Sequence, residues 1–196
     1  MKSCFKPISP FPDLQFAFLD RDGVVNRKPP EGKYIADWSE FDILPGVEDA
    51  IARLNRNGCR VLVISNQRGI ALGLCRAEGV NEIHERLQNR LMSRGAHIDG
   101  FYLCPHDTGQ CDCRKPEIGL FLQATRRYPQ ISADNSIMIG DALSDIQAAQ
   151  RFGCRSVFIE GDPTTRKSGA EAAARLADGT AESLLQAVNS LLGLDS

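Results

Sequence analysis

No run of apolar residues in this chain approaches the roughly 18 needed to span a bilayer, so a membrane protein is not expected. An excess of one charge is missing too: 23 Lys and Arg stand against 25 Asp and Glu, for a formal net charge of -2. No block of like charge stands out, which excludes the broad basic footprint of a nucleic-acid-binding domain. Internal repeats and low-complexity linkers are absent, so nothing divides the 196 residues into separate units. The stretch from Met1 to Asp13 holds three prolines where a signal peptide would carry an apolar helix. No interface stripe is legible. The expectation is a cytoplasmic monomer with neither membrane nor nucleic acid as partner.

What is present is ordinary for a globular chain. Hydrophobic residues at 42% and charged residues at 24% leave enough core-forming side chains to exclude a disordered or fibrous protein. The length fits a single domain, residues 1–196, with a core over about 15–160 and a tail or embellished loop. Seven cysteines are an odd count in a chain too long to need disulfide staples, which argues against a secreted framework. Cys4, Cys59, Cys75 and Cys154 are scattered and read as buried or idle thiols. Cys104, Cys111 and Cys113 crowd together beside His106 and need a separate explanation.

Short apolar runs alternate with amphipathic stretches, the pattern of successive βα units in a doubly wound α/β fold with a parallel sheet. Strands are predicted at Phe16 to Leu19, Arg60 to Ile64, Phe101 to Leu103, Ser136 to Ile139 and Ser156 to Ile159. Helices are predicted over Val47 to Asn57, Ala77 to Ser93, Gly119 to Tyr128, Asp145 to Phe152 and Ala181 to Leu192, with a loop from Gly161 to Lys167. In such a sheet all C-terminal strand ends share one edge, where doubly wound folds bind ligands. Asp20 and Asp22, Ser65 and Asn66, the Cys/His cluster, and Gly140-Asp141 follow successive strands and so converge on that edge.

Asp20-Arg21-Asp22-Gly23 alone can be turn chemistry, its carboxylates bonding nearby backbone N–H groups. Asp141 at a neighbouring strand end changes the reading, because a third carboxylate completes an oxygen set able to hold a hydrated Mg²⁺. Lys115 and Ser65 add what a phosphate needs beside such a metal, a point charge and a hydroxyl donor. Asp145 can hydrogen-bond a metal water or be an exposed carboxylate favoured by its helix dipole. Tyr34 and Trp38 either line a substrate pocket or anchor the segment that passes over the rim.

Cys104-x-His106, followed by Cys111-x-Cys113, offers three thiolates and one imidazole, a closed tetrahedral and therefore structural Zn²⁺ shell. A Cys111–Cys113 disulfide, or unmetallated thiols, is the alternative. Because the cluster runs straight into Arg114-Lys115-Pro116, a metal there would brace the loop that carries the phosphate lysine.

As an ordered set, Asp20-x-Asp22, Ser65, Lys115 and Gly140-Asp141 resemble the four motifs of the haloacid dehalogenase superfamily of phosphohydrolases. The resemblance implies that Asp20 attacks phosphorus to give an aspartyl-phosphate, and that Asp22 first protonates the leaving group and then activates water. It also implies that Asp20, Asp22 and Asp141 bind Mg²⁺ while Ser65 and Lys115 hold phosphoryl oxygens. With Cys-Pro-His and Cys-Asp-Cys-Arg-Lys-Pro added, the chain is similar to the branch of heptose 1,7-bisphosphate and histidinol-phosphate phosphatases, which lack a large cap domain. The stretches Asp20 to Asn26 and Ser65 to Gly73 are similar to the heptose group, and from that group Asn66, Arg114 and Lys115 are carried over as substrate-binding. The expected substrate is a small sugar phosphate, a heptose 1,7-bisphosphate losing its 7-phosphate, with histidinol phosphate as the alternative. Two features depart: the His106 to Cys111 loop is short, nearer the histidinol group, and Ala142 sits where some heptose enzymes have a lysine. A nucleic-acid zinc knuckle would need basic surroundings where Asp107 and Asp112 stand. A polynucleotide 3′-phosphatase would lack the cysteine cluster.

Overall fold

The computed structural model describes residues 6–162 and 168–194. Its centre is a six-stranded, all-parallel sheet in the order β3-β2-β1-β4-β5-β6. The strands are β1 Phe16–Leu19, β2 Arg60–Asn66, β3 Gly100–Cys104, β4 Ser136–Gly140, β5 Arg155–Ile159 and β6 Gly179–Ala181. The helices are α1 Val47–Arg56, α2 Arg68–Ala71, α3 Ala77–Met92, α4 Gly119–Arg127, α5 Leu143–Phe152, α6 Ala170–Leu176 and α7 Leu184–Leu192. Among the described residues no helix is long and apolar enough to cross a membrane, and no separate cap domain is inserted.

Strand side chains alternate between two cores, as a pleat with helices on both faces requires. Ala17, Leu19, Val61, Val63, Ile137 and Ile139 face one core with residues of α1, α3 and α7. Phe16, Phe18, Leu62, Ile64 and Met138 face the other, built with Leu120 and Phe121 of α4 and Ala148 and Ala149 of α5. Such two-sided burial explains why the strands read as continuous apolar runs: all four residues of β1 are buried. Chain order reverses between β1 and β4, and the register pairs Leu19 with both Val63 and Ile139. The ends of three strands are therefore level at the switch point where ligands bind in such sheets.

The five expected strands form, with ends shifted by no more than two residues. Three short elements were not anticipated, α2, α6 and the edge strand β6. The last helix does not start at Ala181, which ends β6; it starts at Leu184 because the Ser183 hydroxyl accepts from Gln186 N at 3.3 Å and caps it. Helix α5 begins two residues earlier than expected, at Leu143. Cys4 and residues 163–167 of the expected loop lie outside the described residues.

Candidate active site

The turn after β1 is built on Gly23, whose φ of 99° lies in the left-handed region. A Cβ at this position would sit 2.1 Å from Asp141 Oδ2, so the absence of a side chain lets the β4 carboxylate close over the turn. The N–H groups of Val25 and Asn26 donate to Arg21 O at 2.8 and 3.1 Å. Asp22 lies inside this turn and accepts from Arg21 Nη2 at 2.9 Å, Asn26 Nδ2 at 2.9 Å and Gln67 Nε2 at 3.2 Å. Burial alone would raise its carboxyl, but the Arg21 guanidinium and these hydrogen bonds outweigh burial and hold it below the usual carboxylate value.

Lys115 reaches Asp20 with a side chain that is only 1% exposed. Its ammonium donates to Asp20 Oδ1 at 2.8 Å and Ile64 O at 2.8 Å, and pairs with Asp145 Oδ1 at 2.7 Å. Burial would push this lysine down; Asp145 and then Asp20 reverse the sign and hold it charged above its ordinary value. Its backbone is clasped by Asn66, whose Nδ2 donates to Lys115 O and whose Oδ1 accepts from Lys115 N, both at 3.0 Å. The buried Ser65 hydroxyl accepts from Gln67 Nε2 at 2.9 Å.

Asp20, Asp141 and Asp145 each place a carboxylate oxygen within 4.8 Å of the others. Burial, with the Asp145 and Asp141 charges adding to it and Lys115 opposing, pushes the Asp20 carboxyl up to about 7. Such a shift marks a pocket short of positive charge, and its all-oxygen donor set fits a hard divalent cation. Asp145 is not the exposed carboxylate of the alternative reading: it is 1% exposed, and besides pairing with Lys115 it accepts from Ala142 N at 3.0 Å.

The Cys/His loop gathers as the spacing anticipates. Cys111 Sγ lies 3.5 Å from Cys104 Sγ and 3.3 Å from Cys113 Sγ, while His106 Nδ1 lies 3.8 Å from Cys104 Sγ and 3.4 Å from Cys113 Sγ. Thiolates about 2.3 Å from a tetrahedral ion would be about 3.7 Å apart, so the four atoms fit one metal. A Cys111–Cys113 disulfide, needing about 2.05 Å, is not formed; both thiols are free. The loop is tied down by an ion pair of Asp107 with Arg68 at 2.5 Å and by Gly119 N donating to Asp112 O at 3.1 Å. Arg114 Nη1 is 3.5 Å from His106 O, beside the rim.

Three participants went unnoticed in the sequence. Arg21 is 1% exposed and holds Asp22, with its guanidinium 5.7 Å over the Phe41 ring. Gln67 bridges Asp22 and Ser65. Lys28, 9% exposed, forms a very short ion pair with Asp141. Arg21 and Gln67 stood inside the quoted motifs, whereas nothing local marks Lys28. Tyr34 packs its ring against Gly69 and Trp38 stacks on Phe41 at 5.4 Å, so both anchor the overlying segment.

A family model described as HAD-hydrolase-like matches residues 112–187. A D-glycero-alpha-D-manno-heptose-1,7-bisphosphate 7-phosphatase of Mycobacterium bovis is 44% identical over 150 residues, covering 74% of this chain and 78% of that protein. The beta-anomer enzyme of Bordetella bronchiseptica is 34% identical over 181 residues, covering 88% of this chain and 99% of that protein. A crystal structure of the D,D-heptose 1,7-bisphosphate phosphatase from B. bronchiseptica, complexed with magnesium and phosphate, superposes with a TM-score of 0.81. It is 32% identical, covering 93% of this chain and 100% of that one.

Proposed function

The chain belongs to the HAD-like family of heptose-1,7-bisphosphate 7-phosphatases, and from that premise we propose that it removes the 7-phosphate of a D-glycero-D-manno-heptose 1,7-bisphosphate. The observation that carries this reading is one partly buried carboxylate, Asp20, held 2.8 Å from the Lys115 ammonium and beside Asp141 and Asp145 at the switch point of the sheet. An Asp20 oxygen attacks phosphorus and the bond to the sugar oxygen breaks, leaving an aspartyl-phosphate. Asp22 gives its proton to the departing alkoxide; an incoming phosphate dianion works against the ionisation that Arg21 favours and so helps protonate Asp22 for this step. Water then cleaves the aspartyl-phosphate while Asp22, ionised again, takes the water proton. Lys115 and Ser65 hold phosphoryl oxygens, and the Asn66 clasp keeps Lys115 in place.

Asp20, Asp141 and the Asp22 backbone carbonyl would hold Mg²⁺, with Asp145 beside them. When bound, the cation supplies positive charge that keeps Asp20 ionised and screens the phosphoryl group. Cys104, His106, Cys111 and Cys113 would hold a structural Zn²⁺ that braces Arg114 and Lys115. Arg114 can hold the anomeric phosphate left on the product. The enzyme is read as a cytoplasmic monomer acting on a small-molecule substrate, and its near-neutral charge supports the part of that reading that leaves out nucleic acid.

Phosphate release from heptose 1,7-bisphosphate, a heptose monophosphate and histidinol phosphate, each with Mg²⁺ and with chelator, tests the proposal. The bisphosphate should have the highest kcat/KM, require Mg²⁺, and suffer more than the monophosphate from Arg114→Ala. A higher kcat/KM for histidinol phosphate would overturn the substrate; activity undiminished by chelator would overturn the metal assignment.

A further inference from the structure

Lys28 has no place in the chemistry just described, yet it is a buried lysine at its centre. The chain leaves the Asp22 turn, bridges Asn26 to Ile43, and anchors Arg27 N on Asp42 O at 2.7 Å. Lys28 follows immediately and precedes Pro29-Pro30, whose fixed φ angles stiffen the backbone behind it. Its side chain, 7% exposed, is thereby laid across Asp141, 113 residues distant in the sequence, with the ammonium on Oδ2. The same oxygen fills the space that a side chain at Gly23 would occupy, so the carboxylate is drawn in against the turn where Lys28 can reach it.

Asp141 is also one of the three carboxylates that fit a divalent cation. We propose that Lys28 is a tethered counter-ion of the carboxylate pocket, which a divalent cation must displace or repel in order to bind; this rests on the metal reading given above. Two effects of Lys28 oppose each other. Its hydrogen bond orients Asp141, which favours the metal, and its charge repels a doubly charged ion a few ångströms away, which disfavours it. The orienting effect is that of one hydrogen bond, whereas a charge-to-charge interaction at this range and burial is large. Repulsion therefore wins. A cavity of about 290 Å³ opens beside the pair, and its charged lining beyond Lys28 and Asp141 is Glu160, Asp162 and Glu182 against Arg27, a net acidic surface toward which a displaced ammonium can turn. The consequence is a site whose negative charge is partly offset at rest by Lys28 and Lys115 and whose metal affinity is lower than its carboxylates alone would give.

Cation affinity can be read without turnover, by titrating Mn²⁺ into chelator-stripped protein and following free Mn²⁺ by electron paramagnetic resonance. Lys28→Met should bind Mn²⁺ at least tenfold more tightly than the parent. Lys28→Gln, neutral but still able to donate to Asp141, should match it, because the charge and not the hydrogen bond sets the affinity. Without metal both variants should melt below the parent, and saturating Mn²⁺ should raise their Tm by more than it raises the parent's. Equal or weaker Mn²⁺ affinity in both variants would overturn the role of Lys28. A parent that binds no Mn²⁺, together with an Asp141→Asn variant of the same behaviour, would instead overturn the metal reading on which it rests.

Discussion

Lys115→Met isolates the charge that joins Asp20 to Asp145 and the rest of the site. Methionine has a similar length and fills the same channel, so the cavity cost is small and the loss is electrostatic. The lysine side chain is 1% exposed and serves Asp20, Asp145 and the Ile64 carbonyl, and Asp145 is as deeply buried as the lysine itself. Removing one member of a buried ion pair leaves its partners uncompensated, at a cost of about 3–5 kcal/mol. Asp145 keeps its bond from Ala142 N, and Asp20 is 14% exposed, so the lower end applies. In a chain of this size each kcal/mol moves Tm by about 2–4 °C, so about 3 kcal/mol corresponds to about 6–12 °C. The measurement is thermal unfolding in chelator at pH 8 and pH 5. The gap should narrow at pH 5, where protons can neutralise the carboxylates that have lost their cation. A gap under about 2 °C at pH 8, or one unchanged at pH 5, would refute the assignment of Lys115 as the buried counter-charge.

Asp20→Asn should abolish phosphate release and Asp22→Asn should lower it by about 10² to 10⁴; normal turnover by the Asp20 variant would sink the covalent route. In metal-free protein Asp20 holds its proton up to about 7 against 3.8 in the unfolded chain, so the folded state binds more protons between those values. Stability from this group is full below pH 3.8 and lost as pH rises to 7, a decline absent from Asp20→Asn in urea titrations across that range. Cys111→Ser should lower Tm and weaken substrate binding by loosening the Lys115 loop, and the parent should carry one zinc per chain by elemental analysis; zinc-free protein with an unchanged variant Tm contradicts the structural site. His84, stacked on Phe101 at 4.3 Å, is pushed down to about 3 by burial, with Arg21 adding to it. The unfolded chain therefore takes up this proton first as pH falls below 6.5, and the parent should lose up to about 1.4 kcal/mol per pH unit more than His84→Phe between pH 6.5 and 3. Parallel pH profiles would show that His84 titrates normally.

Most strands and their motif residues were legible because each is a local pattern. Four consecutive buried residues in β1 and an Asp-x-Asp-Gly at its exit can be read without knowing what lies alongside. The cysteine cluster was legible for the same reason, its four side chains falling within residues 104–113. Short elements were not. The three residues of β6 carry too little periodicity to announce an edge strand, and its Ala181 was absorbed into the apolar pattern of α7.

Sequence alone determined the α/β class, the rim on which the motifs meet, and the chemical kinds of group present. These follow from periodicities and turns that span a few residues. Tertiary structure decided how those groups are paired. It made Asp145 a buried partner of Lys115, turned the Asn66 amide onto the Lys115 backbone 49 residues away, and set Lys28 against Asp141. Those pairings depend on which strand ends become neighbours when the chain order reverses between β1 and β4. They also depend on burial, which converts side chains of ordinary reach into opposing charges that must neutralise one another or recruit a cation.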